Sequence, residues 1–195
     1  MLSGARVGLG PIAPEDHEAI KSTDFDLEHT ELGGRHGVFP GSDKQARDLD
    51  LMLKAPDEAS FAILLKPRLR VIGFCGVRSI DHRNGSARVF IGINDKRLWG
   101  RGYGREALAL LCDYAFNVLS LHSLRLNVFG FNERAIRSYK AVGFRVAARL
   151  RESVQRRGRH YDDVMMDILD REFRKRHKSV VPAVGDGAGK RRRRR

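Results

Sequence analysis

With 195 residues, 42% of them hydrophobic and 31% charged, the chain has the length for one core of ordinary size and the composition of a soluble globular protein. That balance excludes an intrinsically disordered chain. The longest apolar stretch, residues 107–119, is interrupted by Asp113 and is too short to cross a bilayer, so no membrane partner is expected. The net charge of +13 includes six charges from Lys190 and the five arginines to Arg195, leaving +7 for the remainder. A moderately basic body suits an anionic ligand. Cys75 and Cys112 sit inside apolar segments, as small buried thiols do, and neither a disulfide nor a metal is implied. No charged-then-apolar leader precedes Ala13, which makes the cytoplasm the expected location.

Taken in order, residues 6–12 read as a first strand, at a sheet edge because of Pro11. Pro14, Glu15 and Asp16 suit the first turn of a helix. Residues 29–40 are glycine-rich and irregular, a candidate mobile loop over a site. Ser42 caps a helix that runs to Lys54. Residues 60–66 and 70–80 read as strands. Asn84-Gly85 is the strongest hairpin signal, and it returns into a strand over residues 87–93. A helix follows from Tyr103 to about Leu119, then a strand over 124–129, then a helix capped by Asn132 and stopped by Gly143. Two more strands follow, the last over 161–169. Antiparallel strands first and strand–helix–strand units afterwards imply a mixed sheet with helices on both faces. No internal repeat is present. The expected division is one domain over residues 1–178 and a disordered polybasic tail over 179–195.

The most informative stretch is the junction from Ile91 to Ala107. A strand ends at Ile93, and Gly100, Gly102 and Gly104 precede a helix that starts at Tyr103, flanked by Arg97, Arg101 and Arg105. The first amides of a helix lack internal partners and carry the positive end of its dipole. Glycines let that backbone approach a ligand closely. This arrangement reads as a diphosphate-binding loop. A dinucleotide-binding fingerprint needs a different glycine spacing near the start of a βαβ unit, and a phosphate-binding NTPase loop needs Gly-Lys-Ser/Thr. Neither is present.

Trp99-Gly-Arg-Gly-Tyr-Gly104 resembles the acetyl-CoA loop of the GNAT superfamily of N-acetyltransferases, Gln/Arg-x-x-Gly-x-Gly/Ala, with Gly102 and Gly104 as the motif glycines and Trp99 in the first position. That substitution looks like the RimJ/RimL-like branch. Asn132, Ala135, Tyr139, Gly143 and Phe144 are similar in spacing to the family's second signature. Gly158, Tyr161 and Asp162, followed by Met165, Met166, Glu172 and Phe173, look like the branch's C-terminal strand. The resemblance spans about residues 5–173.

The resemblance implies an α/β (α+β) fold with a mixed, mostly antiparallel sheet and a splayed parallel strand pair. It also implies acetyl transfer to a primary amine, either a protein N-terminus or a small molecule, by direct attack in a ternary complex. Acetyl-CoA would be held by Ile91, Ile93, Asn94, Trp99, Gly100, Arg101, Gly102, Tyr103, Gly104, Arg105 and Asn132. Tyr139 falls where many members keep a general acid for the leaving thiolate. Asp95 is a candidate base, with Glu31 and His29 as others; a water route needs none of them. A monomer or homodimer is expected. The rival reading is a nonenzymatic module of the same fold whose basic tail contacts nucleic acid or a protein; nonspecific nucleic-acid contact by the tail is compatible with either.

Overall fold

The computed structural model describes residues 1–17, 20, 27–32 and 42–181. Eight strands form one sheet: β1 (Leu2–Ser3), β2 (Val7–Gly10), β3 (Ala59–Leu65), β4 (Arg70–Asp81), β5 (Ser86–Ile93), β6 (Ser123–Phe129), β7 (Arg145–Arg156) and β8 (Arg159–Leu169), in the spatial order β1-β2-β3-β4-β5-β6-β8-β7. Neighbours are antiparallel except β5 and β6. Among the described residues the helices include α1 (Leu27–Leu32), α2 (Ser42–Lys54), α3 (Tyr103–Asn117), α4 (Glu133–Val142) and α5 (Asp170–Arg174).

Strand alternation sorts the sheet into two faces. Phe61, Cys75 and Ile91 stand side by side in register, and Phe61 meets Tyr114 of α3 edge-on, with ring centroids 4.9 Å apart. On this face α3 turns Ala107, Leu108, Leu111, Cys112 and Ala115 inward, all fully buried, against Val7, Ile63, Val77 and Leu124. Both cysteines are free and buried there, and burial pushes their thiols up, away from thiolate chemistry. Ala62 alternates to the opposite face and is also buried.

Local chemistry explains the junction that matters most. At the β4–β5 hairpin Gly85 has φ +61°, a conformation that glycine adopts without steric cost, and Asp81 accepts hydrogen bonds from Asn84 N–H (2.9 Å) and Nδ2 (2.6 Å). The Gly85 carbonyl then accepts from the amides of His122 (2.6 Å) and Ser123 (3.1 Å). Those two bonds fix where β6 begins beside β5.

Several expectations shift. The strand containing Gly10 is not an edge, since β1 covers it through Leu2↔Leu9 and Ser3↔Gly8; Pro11 lies just past its end, where no ladder N–H is needed. Residues 29–32 belong to α1 and not to an irregular loop, whereas 33–40 fall outside the described residues. Residues 14–16 form a 3₁₀ turn, in which Asp16 accepts from Ala13 N–H at 2.9 Å, and His17 and Ile20 are helical, so a helix begins here as expected. At the other end residues 182–195 fall outside the described residues. Residues 180 and 181 are tied to the domain, because the buried carboxylate of Asp113 accepts from both amides, at 2.8 and 3.1 Å.

Candidate active site

β5 and β6 pair through three rungs, Ser86↔Ser123, Ala87↔Leu124 and Arg88↔Arg125, and then part. Residues 89–93 of β5 continue without β6, which stays paired with β8 as far as Phe129↔Asp163. Asn94 N–H donates to Ile72 O of β4 at 2.8 Å, so the backbone groups of Asn94 point toward β4. Alternation then turns those of Ile93 and Ile91 toward the gap. An exposed strand edge of this kind is a template for a ligand with alternating amide donors and acceptors.

The Ile93 carbonyl already has a partner. The indole Nε1–H of Trp99 donates to it at 2.7 Å. Trp99 is held in turn by the Arg134 guanidinium, 3.8 Å above its ring, and by His29 of α1, stacked at 5.9 Å. Of the Ile91 and Ile93 backbone groups, the Ile93 N–H and both groups of Ile91 are therefore left facing the gap.

Past Trp99 the chain turns through Gly100 (φ +74°) and Gly102 (φ +85°), the N-cap of α3. Positive φ at both positions is the reason glycine stands there. The α3 start is anchored from beneath by Glu106. Its carboxylate accepts from Arg6 N–H (2.7 Å), Val7 N–H (3.2 Å) and Arg6 Nε (3.0 Å), while Arg6 also donates to Arg101 O at 2.9 Å. Burial pushes the Glu106 carboxyl up, but the two backbone N–H groups and the guanidinium outweigh it and hold it below its usual range. The first-turn amides of α3 are thus fixed in direction while lacking helical acceptors.

These elements enclose a cavity of about 590 Å³, lined by residues 91–93 and 98–105, by Asn132 and by one side of α4 from Arg134 to Ala141. Asn132 caps α4, its Oδ1 accepting from Ala135 N–H at 3.2 Å. One turn further, Tyr139 lines the cavity and packs beside Phe144, with ring centroids 6.2 Å apart. Burial pushes its phenol up to about 12, so the hydroxyl stays protonated at neutral pH.

Of the residues expected around acetyl-CoA, the structure brings ten together in this cavity and separates Asn94. Asn94 is turned away by strand parity, and its side-chain Nδ2 donates to Ile20 O at 3.2 Å. Asp95 also differs from expectation. It caps the 3₁₀ turn Lys96–Leu98, accepts from Arg97 N–H (2.9 Å), Nε (3.0 Å) and Nη2 (3.0 Å), and is held by that arginine below the usual carboxylate range. Glu31 is bonded to Arg156 (Nε, 2.7 Å) and to Arg157 (Nε, 3.2 Å), and Arg156 first among its partners lowers it likewise. Sequence reasoning missed Arg134, Arg137 and Ser138 on the cavity side of α4. The three-residue step from Asn132 to Ala135 and the four-residue step to Tyr139 could have placed them on that side. Among the described residues no group of three or more histidines, cysteines or carboxylates could hold a metal.

A splayed parallel pair, its bare edge, a glycine-led helix start and a neutral phenol thus meet at one cavity, the arrangement that the resemblance to the GNAT superfamily implies. Comparison with known proteins narrows the class. Residues 6–145 match the Acetyltransferase (GNAT) domain, and the chain belongs to that family. It is 33% identical over 142 residues to the uncharacterized N-acetyltransferase p20 of Bacillus licheniformis, covering 70% of this chain and 79% of that protein. Over a shorter span of 80 residues, 41% of this chain and 43% of the relative, it is 34% identical to spermidine N(1)-acetyltransferase of Escherichia coli (strain K12). A solved structure, spermidine N-acetyltransferase from Vibrio cholerae in complex with CoA and spermine, shares the fold with a TM-score of 0.77 at 22% identity, covering 87% of this chain and 99% of that one. The protein is an acetyl-CoA-dependent N-acetyltransferase.

Proposed function

We propose that the gap between β5 and β6 receives the pantetheine arm of acetyl-CoA, that the α3 start receives its diphosphate, and that acetyl passes directly to a primary amine bound at the same time. The observation that supports this most is the convergence, in one cavity, of the unpaired edge of β5, the glycine-led start of α3 and Tyr139. Ile91 and Ile93 hold the arm as an added strand would be held. The amides at the start of α3 meet the diphosphate, with the charges of Arg101 and Arg105 beside them.

In the transfer step the amine nitrogen forms a bond to the thioester carbon and the carbon–sulfur bond breaks. Tyr139 then gives its hydroxyl proton to the departing thiolate sulfur, and the proton that the acylated nitrogen sheds returns to the Tyr139 oxygen through water. An N–H on the bare edge of β5 stabilises the negative charge that develops on the carbonyl oxygen. The amine must shed a proton first. Asp95 and Glu31, both held ionised by arginines, are poor acceptors for it, which favours loss through water.

The likeness to spermidine N(1)-acetyltransferase favours a small amine as the acceptor, and Trp99 at the first position of the loop supports the RimJ/RimL-like branch. A protein N-terminus is compatible with the same chemistry. Tyr139→Phe tests the assignment: kcat should fall on the order of a hundredfold with acetyl-CoA affinity nearly unchanged. An unaltered kcat would remove Tyr139 from the mechanism.

A further inference from the structure

Tyr103 lines two cavities. One is the cavity already described; the other, of about 610 Å³ and open to solvent, lies between the turn that joins β1 to β2 and the turn that joins β3 to β4. Lys66 N–H donates to Arg6 O at 2.9 Å, which continues the β2–β3 ladder one step beyond Val7↔Leu65. Two cations therefore stand across from each other, an unfavourable pairing unless negative charge meets it. Glu106 meets Arg6 at 3.0 Å. Lys66 has neutral partners instead, since its Nζ donates to Ser3 Oγ and to Gly4 O, the latter at 2.6 Å. Among the described residues no carboxylate pairs with it, and Arg68 on the same turn adds charge of the same sign. An ammonium carries three N–H donors, so one on Lys66 is uncommitted. Arg6 spends Nε on Glu106 and Nη1 on Arg101 O, and its Nη2 has no hydrogen-bond acceptor among the described residues.

The other walls of this cavity are apolar: Leu65, Pro67, Leu69 and Tyr103. Leu69 stands out among them. Its φ is +52°, the left-handed region that a leucine enters only against steric resistance, and its side chain is 45% exposed. Glycine or asparagine would serve such a turn at lower cost. A leucine held in strain without burying its side chain gains nothing for the core, and a ligand in the cavity gives it something to pack against.

We infer that this second cavity binds a small organic acid, with its carboxylate on Lys66 and Arg6 and its apolar body against Leu65, Pro67, Leu69 and the Tyr103 ring. The two oxygens of a carboxylate match the two uncommitted donor groups, the Lys66 ammonium and Arg6 Nη2. Asn132 and Tyr139 line the first cavity and not this one, so the acid is neither cosubstrate nor acceptor. Both cavities can be filled at once.

The test is calorimetric titration of the full chain, with and without saturating acetyl-CoA, using naphthylacetate, its neutral amide, plain acetate and naphthyl phosphate. Naphthylacetate should fill one saturable site with the same Kd in both conditions. It should bind roughly tenfold or more tightly than the amide or acetate, and more tightly than the phosphate ester. Lys66→Gln should weaken it by roughly tenfold, with Lys66→Arg retaining part of the affinity. Leu69→Gly should weaken it severalfold while Tm holds or rises, because glycine adopts this backbone conformation freely. A leucine that only packs the turn would lower Tm when removed. Displacement of naphthylacetate by acetyl-CoA would put the acid in the first cavity and overturn the inference. Equal binding of the amide, tighter binding of the phosphate ester, or undiminished binding in Lys66→Gln or Leu69→Gly would overturn it as well. If acetyl-CoA itself fails to bind, the transfer reading falls, and the titration without it still decides this one.

Discussion

Trp99 donates its indole N–H to the carbonyl of Ile93, 2.7 Å away, and so satisfies one of the groups that β5 turns toward the gap. That bond spans the strand end and the glycine turn, setting the distance between the edge that would hold the pantetheine and the amides that would hold the diphosphate. Trp99→Phe keeps an aromatic ring under Arg134 but removes the donor. About 1 kcal/mol is at stake, so acetyl-CoA should bind roughly fivefold more weakly by calorimetry. An unchanged Kd would mean that the turn holds its position without the bond.

Gly102 has φ +85°, and a Cβ there would lie 3.1 Å from the Arg6 guanidinium that ties down the loop. Gly102→Val therefore combines backbone strain with displacement of Arg6. We expect a loss of about 1 kcal/mol or more in urea unfolding and at least tenfold weaker acetyl-CoA binding. Normal affinity in the variant would place the diphosphate elsewhere.

The contact of α1 with the β7–β8 hairpin should depend on pH. Arg156 and Arg157 lower the Glu31 carboxyl in the folded chain, so the folded state binds a proton there less readily than the unfolded state. The contribution is present above the ordinary carboxylate range and is lost as pH falls through and below it. Glu31→Gln should lower Tm near neutral pH, and the gap from the parent chain should close as pH falls through and below the ordinary carboxylate range. A gap of constant size across that range would show that the ion pairs contribute nothing to stability.

Much of this arrangement was legible because its signals are local. Asn84-Gly85, the glycines before Tyr103 and the Asn132 cap each act within a few residues, and each stands where it was expected. Contacts between distant segments left no such trace. Arg6 meets Glu106 across 100 positions and Glu31 meets Arg156 across 125, and nothing in either neighbourhood names its partner. Asn94 shows a subtler limit. Its place at the end of the cosubstrate strand was readable, but which backbone groups face the gap depends on the phase of the β4–β5 ladder, and that phase is set by pairing.

The most direct test of the proposed cosubstrate site is calorimetric titration of the full chain with acetyl-CoA and with CoA at low and moderate salt, in parallel with Gly102→Val. The expected result is saturable one-site binding that persists in moderate salt and is weakened in the variant, because it depends on fixed amides as well as surface charge. Binding that disappears with salt, or that is equal in the two chains, would contradict a diphosphate site at the start of α3.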